Sequence, residues 1–302
     1  MFLATTANQI FWKPGEHLLF LGEWCKIYSR KYEWSKFSHE VLPYHGVDRD
    51  KRYKDYIYAM EVYERSLVQL SKELNQLHGL SCSPRYWRIV LGPWLSYFIA
   101  VLLDRYRSIC IAENSGKVKN TWITPDLPDR CLPNDFLEFR VKSNEDDYNH
   151  CLFSQIIKNS KKIPWEENKN SQFLDFKLKQ RKLSDKKYFM QKAILFFGYF
   201  SRFIPDSLQS VVLDQSYIKP FDIMKLQLSM KTMPCPYRHN VKLPSVQTDW
   251  ELRQRIKLTS ITNDGFESIL QRCIPLQIPK VYIEGYSTMA QRALEIYPKK
   301  TK

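Results

Sequence analysis

Two short apolar runs end on side chains that can do chemistry. Leu18-Leu19-Phe20-Leu21 runs into Gly22-Glu23-Trp24-Cys25, and Val41-Leu42-Pro43 runs into Tyr44-His45-Gly46. A short continuous apolar run closed by glycine reads as a buried strand. In open α/β sheets, ligands bind beyond the carboxyl ends of such strands. There Glu23 can act as a general base or hold a sugar hydroxyl, and Trp24 can stack on a sugar face. His45 can exchange a proton near neutral pH. The structural alternatives are a helix-start carboxylate beside a core indole, and a histidine bonded to backbone. A third group is Arg85 and Arg88, early in a segment that opens with Ser83-Pro84 and continues into Gly92-Pro93-Trp94. Arginines at a helix start can grip phosphate; otherwise they flank a core aromatic stripe. Asn134, in Pro133-Asn134-Asp135, and His150, after Asn149, form a fourth group of candidate substrate contacts, with caps and turns as the alternative.

Several stronger signals are absent. The sequence holds no G-x-G-x-x-G, P-loop, H-E-x-x-H or G-x-S-x-G pattern. The six histidines never fall at metal-ligand spacing with a cysteine or a second histidine, so no metal site is expected. Asp48-Arg49-Asp50 imitates a D-x-D metal motif but reads better as a helix start, and Glu145-Asp146-Asp147 reads as a solvated turn.

These residues need elements to position them. Phe2–Thr6 reads as a first strand ending in hydroxyls, Leu18–Leu21 as a second and Val41–Tyr44 as a third. Asp48 is a good N-cap. From Tyr53 through Tyr56, Ile57, Met60, Tyr63, Leu67, Leu70 and Leu74 to Leu77, apolar residues recur at helical steps until His78-Gly79. Ser83-Pro84 opens another long helix, in which Gly92-Pro93 predicts a kink. Residues 114–134 read as a loop with a short strand at Thr121–Thr124. Asn134–Val141, Tyr148–Lys158, Tyr188–Phe203, Asp264–Cys273 and Ser287–Ile296 read as helices. Ser210–Leu213 and Lys280–Glu284 read as strands, and Thr232–Pro244 as a loop. Strands separated by helices imply an α/β layer with a mainly parallel sheet.

The chain has 302 residues, 44% hydrophobic and 14% aromatic, enough for a substantial core. Seven scattered cysteines without a C-x-x-C pair favour reduced thiols over a disulfide framework. The longest apolar run, Ile89–Leu103, is 15 residues with interruptions, short of the roughly 20 of a spanning helix, and reads as a core helix. No signal peptide is visible at the N-terminus. The net charge is +14, and Lys158–Lys192 carries eleven Lys/Arg against four Asp/Glu. Such a stretch suits phosphates, an anionic membrane surface or nucleic acid, or is a solvated basic face.

Taken in order, Phe2-Leu3-Ala4-Thr5-Thr6, Leu19–Cys25, Tyr44-His45 and Tyr86–Leu95 resemble transferases encoded in bacterial O-antigen and surface-polysaccharide gene regions. The resemblance covers most of residues 1–112 and is sparser at Pro133–Asp135, Asn149-His150 and Ile278–Gly285. After His45, Gly46-Val47 departs from the aromatic-then-acidic pattern of that family. The resemblance implies a Rossmann-like, mainly parallel sheet with long flanking helices, forming the N-terminal lobe of a two-lobed, GT-B-like transferase. On that reading residues 1–302 are one α/β domain with a helical, basic insertion at about 114–205. The nucleotide-activated donor would bind in a further C-terminal lobe, and no other cofactor is expected. Catalytic candidates are then Glu23 and His45, and substrate-binding candidates are Trp24, Arg85, Arg88, Trp94, Asn134 and His150. The expected partners are an activated-sugar donor, a lipid-linked or saccharide acceptor and, peripherally, the anionic inner face of the membrane, for a cytoplasmic protein. The alternatives are a basic nucleic-acid-binding protein, for which no recognised motif speaks, and a non-catalytic partner-binding module.

Overall fold

The computed structural model describes residues 1–124, 129–168, 218–232, 246–259 and 265–296. The chain divides into two units, Met1–Asp175 with Leu243–Lys302, and Phe176–Lys242. The expected helix at Tyr188–Phe203, the strand at Ser210–Leu213, nearly all of the loop at Thr232–Pro244 and the basic stretch beyond Asn168 lie outside the described residues.

The first unit is built on a sheet of five parallel strands. These are β1 (Phe2–Ala4), β2 (Leu18–Phe20), β3 (His39–Val41), β4 (Asn120–Ile123) and β5 (Trp165–Glu167), in the order β3-β2-β1-β4-β5. Leu3 lies opposite Leu19 on one side and Thr121 on the other. The uninterrupted apolar runs of β1 and β2 follow from burial on both faces, as parallel sheets require. Leu3 and Leu19 face the large helical core, while Phe2, Ala4, Leu18 and Phe20 face Trp12 and Cys25.

The helices in chain order are α1 (Lys31–Trp34), α2 (Arg49–His78), α3 (Pro84–Val90), α4 (Gly92–Asn114), α5 (Phe136–Lys142), α6 (Asp146–Ser160), α7 (Pro220–Ser229), α8 (Trp250–Gln254), α9 (Gly265–Gln277) and α10 (Tyr286–Ile296). α7 belongs to the second unit. Asp48 caps α2 by accepting from the backbone N–H groups of Asp50 and Lys51, which accounts for the D-x-D pattern without a metal. Gly79 ends α2 in the left-handed region, at φ 64°. The expected kink is a break: α3 and α4 meet at 71°, with Pro93 in the first turn of α4. Gly92 lies against the Tyr63 hydroxyl, where a Cβ would come within 2.6 Å of oxygen. Among the described residues no single helix is long and apolar enough to cross a membrane. Trp94, Leu95, Phe98 and Leu102 of α4 are instead core residues.

Three sequence expectations are corrected. The third strand is His39–Val41, two residues earlier than expected, because the pairing stops before Pro43, which has no N–H for the ladder. Lys280–Glu284 is not a strand: Lys280–Tyr282 is a 3-10 turn whose first two N–H groups donate to Pro133 O (3.0 Å) and Asn134 O (2.9 Å). Its apolar residues Val281, Tyr282 and Ile283 are buried by packing in the helical core. The strand β5, exposed along Trp165-Glu166-Glu167, carries no apolar signal and escapes the sequence reading. β4, α5, α6 and β5, all within residues 114–205, belong to the first unit.

Candidate functional site

The strand order reverses at β1. The connections from β1 to β3 build the sheet in one direction, and β4 and β5 extend it in the other. In open α/β sheets ligands bind at such a reversal, beyond the carboxyl ends of the strands, which here are those of β1 and β4. Thr5 and Thr6 follow β1, Gly22-Glu23-Trp24 follows β2, Tyr44-His45 follows β3 and Thr124 follows β4.

Two chains of polar contacts line this edge and meet on α6. In the first, His45 Nε2 donates to Asp104 Oδ1 of α4 at 2.9 Å, and the Tyr44 hydroxyl donates to the same oxygen at 3.2 Å. Arg105 holds the other carboxylate oxygen and donates from Nε to Asn149 Oδ1 of α6 at 3.1 Å. Burial pushes the Asp104 carboxyl up, but the His45 hydrogen bond and the Arg105 charge outweigh it and hold it below its ordinary value. The carboxylate accepting from Nε2 leaves the lone pair on His45 Nδ1. That atom is buried, and among the described residues it has no hydrogen-bond partner.

In the second chain, His150 Nδ1 and the Thr5 hydroxyl share a hydrogen bond of 3.1 Å, and His150 stacks on Phe11 at 3.7 Å. Thr5 O accepts from Trp24 Nε1 at 3.0 Å. Burial pushes His150 down to about 3, so its ring is neutral. His150 Nε2 and Thr6 Oγ1 are also buried without a partner among the described residues. The expected solvated turn at Glu145–Asp147 is corrected here. Asp146 accepts from Ala7 N at 3.2 Å and pairs with Arg30, and Asp147 accepts from Asn8 Nδ2 at 3.0 Å. The first turn of α6 thereby clamps the loop that follows β1.

Orphaned polar atoms are costly in a protein interior and are normally satisfied. Three of them, His45 Nδ1, His150 Nε2 and Thr6 Oγ1, come from residues at the carboxyl edge or from the helix that packs on it. The family model described as LIC12162 family transferase matches residues 1–302. The chain belongs to the LIC12162 family of transferases. No curated protein and no solved structure matches it.

In this LIC12162 family transferase the edge brings together His45, His150 and Trp24 of the sequence candidates. Trp24 is 37% exposed, with its ring laid over Gly22. Glu23 turns to solvent and pairs with Lys26 at 3.1 Å. Arg85 is exposed on the first turn of α3, and Arg88 holds Glu64 through two hydrogen bonds of 2.6 Å. Trp94 is wholly buried, stacked on Phe98 at 5.1 Å, so it has no free face. Asn134 donates from N and Nδ2 to Glu138 Oε2, at 2.8 and 2.7 Å, and so steadies the start of α5. Asp104 and Arg105 were not among the candidate residues of the sequence, whereas Asn149 stood beside His150 in the fourth group. The available signal was Asp104-Arg105, a charged pair directly after the apolar run of α4. Among the described residues no group of three His, Cys, Asp or Glu could hold a metal ion.

Proposed function

We propose that this LIC12162 family transferase moves a glycosyl or related group from a nucleotide-activated donor to an acceptor hydroxyl in bacterial surface-polysaccharide or O-antigen synthesis. The chain then serves as the acceptor-side lobe of a GT-B-like enzyme in the cytoplasm, and the donor binds on a facing lobe. The observation that carries this reading is the His45–Asp104 pair, with an unpartnered Nδ1 at the carboxyl edge of a Rossmann-ordered sheet.

The chemistry follows from that geometry. His45 Nδ1 takes the proton of the acceptor hydroxyl as its oxygen bonds to the electrophilic carbon of the donor. The bond from that carbon to the phosphate oxygen breaks, and the nucleoside diphosphate leaves with the electron pair. Asp104 fixes the imidazole tautomer and stabilises the imidazolium that forms. Trp24 supplies an apolar platform for a sugar ring.

A positioned general base contributes on the order of 10²–10⁴-fold. His45→Gln and Asp104→Asn are therefore expected to lower kcat at least about a hundredfold with little change in KM. The assay incubates the full-length enzyme with labelled nucleotide sugars and a lipid-linked saccharide acceptor and follows label into the acceptor. Undiminished transfer by folded His45→Gln enzyme would remove the base from this mechanism.

A further inference from the structure

The apolar stripe of α2 is continuous in sequence but only partly covered. Val62, Tyr63, Leu67, Leu70 and Leu74 are buried. Before them, Tyr53, Tyr56, Ile57 and Met60 are 65%, 58%, 40% and 38% exposed. At 100° per residue these four fall within one arc of about 100°, along roughly 10 Å of helix. Arg49, Lys51, Arg52 and Lys54 are all exposed on the same turns, and Arg52 and Lys54 flank the arc on either side. Of the neighbouring acids, Asp48 caps the helix, Asp55 pairs with Arg107 at 2.9 Å, Glu61 with Arg65 at 3.9 Å and Glu64 with Arg88 at 2.6 Å, while Asp50 is exposed on the first turn.

A helical face of tyrosines and aliphatic residues, edged by cations that form no ion pair among the described residues, suits one kind of surface. Tyrosine favours the headgroup level of a bilayer, aliphatic side chains reach the acyl boundary, and Lys/Arg meet anionic headgroups. A protein partner of similar size would be expected to match the cations with acids at fixed positions. A lipid surface needs no such register, and Arg52 and Lys54 stand on either side of the apolar arc.

We propose that the first three turns of α2, Arg49 to Met60, dock this protein on an anionic lipid surface. The helix begins four residues after His45, and Tyr44 bonds to Asp104 beside it. A lipid-anchored acceptor would therefore approach the carboxyl edge from the docked side. The docking stands on the surface of α2 and does not depend on the transfer chemistry.

Vesicle co-sedimentation tests it, with phosphatidylcholine alone and with phosphatidylcholine mixed with phosphatidylglycerol. Binding is expected only to the mixed vesicles, at low salt more than at high salt. Each Lys/Arg near an anionic surface contributes about 1 kcal/mol, about fivefold in partition. Arg52→Glu with Lys54→Glu is therefore expected to lower binding more than tenfold, and Tyr53→Ser with Ile57→Ser and Met60→Ser to abolish it. Circular dichroism melting should leave both variants folded, since the changed side chains are exposed. A third variant, with Lys177, Lys179, Arg181 and Lys182 changed to Ser, keeps α2 intact. Loss of binding in this variant alone assigns the membrane to the basic stretch and overturns the proposal. Equal binding to both vesicle types overturns it, as does a dimer in size exclusion that the Ser variant dissolves, or competition by inorganic phosphate. Transfer to a soluble acceptor analogue should be unchanged in the α2 variants, which separates failure of docking from failure of catalysis.

Discussion

His150 is buried, neutral and bonded to Thr5, and it titrates far from its ordinary range. Burial lowers it from 6.5 to about 3. A histidine held neutral in the fold binds its proton more readily when unfolded. Its contribution is therefore complete above pH 6.5 and is lost as pH falls from there towards 3. At 1.36 kcal/mol per unit, the loss from this residue by pH 5 is about 2 kcal/mol. Urea unfolding at pH 7 and pH 5 should show that difference, and His150→Asn, which keeps a polar group near Thr5, should flatten it. An equal pH dependence in the variant would assign the acid sensitivity to other groups. Residue identity carried half of the site. The position of His45 after a strand singled it out in the sequence, but Asp104 is 59 residues away and is brought to it only by the antiparallel packing of α4 on α2. His150 and Thr5 are 145 residues apart and show no local pattern at all.

The elements were more legible than the contacts between them. β1, β2, α2 and α6 announce themselves through apolar runs, caps and a left-handed glycine, which are local features. β5 does not, because an edge strand needs no apolar face. The α2 stripe misleads in another way: periodicity reports an apolar face but not whether anything covers it. Gly22 is an element-level feature with a packing cause. Its φ of −176° is extended, open to any residue, so glycine is not needed there for conformation. A Cβ would instead stand 2.1 Å from Trp24 Cζ3. Gly22→Ala should push the indole off Thr5 O and cost about 1–3 kcal/mol, the usual range for overpacking. The same substitution in a Trp24→Ala background should cost close to nothing, since the obstruction is gone. A cycle in urea that showed equal losses in both backgrounds would place the cause in the backbone.

At the scale of the whole first unit, the last described segment closes the core that holds the site. Phe266, Ile269, Leu270, Cys273 and Ile274 of α9 join the same core as α4 and α6. Tyr148 of α6 donates to Gln277 Oε1 at 3.0 Å, and Arg65 of α2 holds Glu267 at 2.7 Å. The sequence showed α9 and α10 as helices but not that they return to the helices of the first half, because no local pattern encodes a partner 100 or more residues away. The fastening is Arg253. It is 1% exposed, donates from Nε and Nη2 to the Glu284 carboxylate at 2.6 and 2.8 Å, and donates from Nη1 to Pro275 O and Ile278 O at 3.0 and 2.9 Å. α8, the end of α9 and the turn before α10 thus share one guanidinium. Breaking a buried pair by removing one partner typically costs about 3–5 kcal/mol, because a charge is left unpaired, whereas replacing both with apolar groups of similar volume is often neutral or stabilising. Glu284→Gln should therefore lower the urea midpoint strongly, and Arg253→Met with Glu284→Leu should recover much of the loss. The two carbonyls that Arg253 satisfies would stay unpaired in the double variant and set the remainder. If the double variant were as unstable as the single one, those backbone contacts rather than the ion pair would be what holds α8, α9 and α10 together.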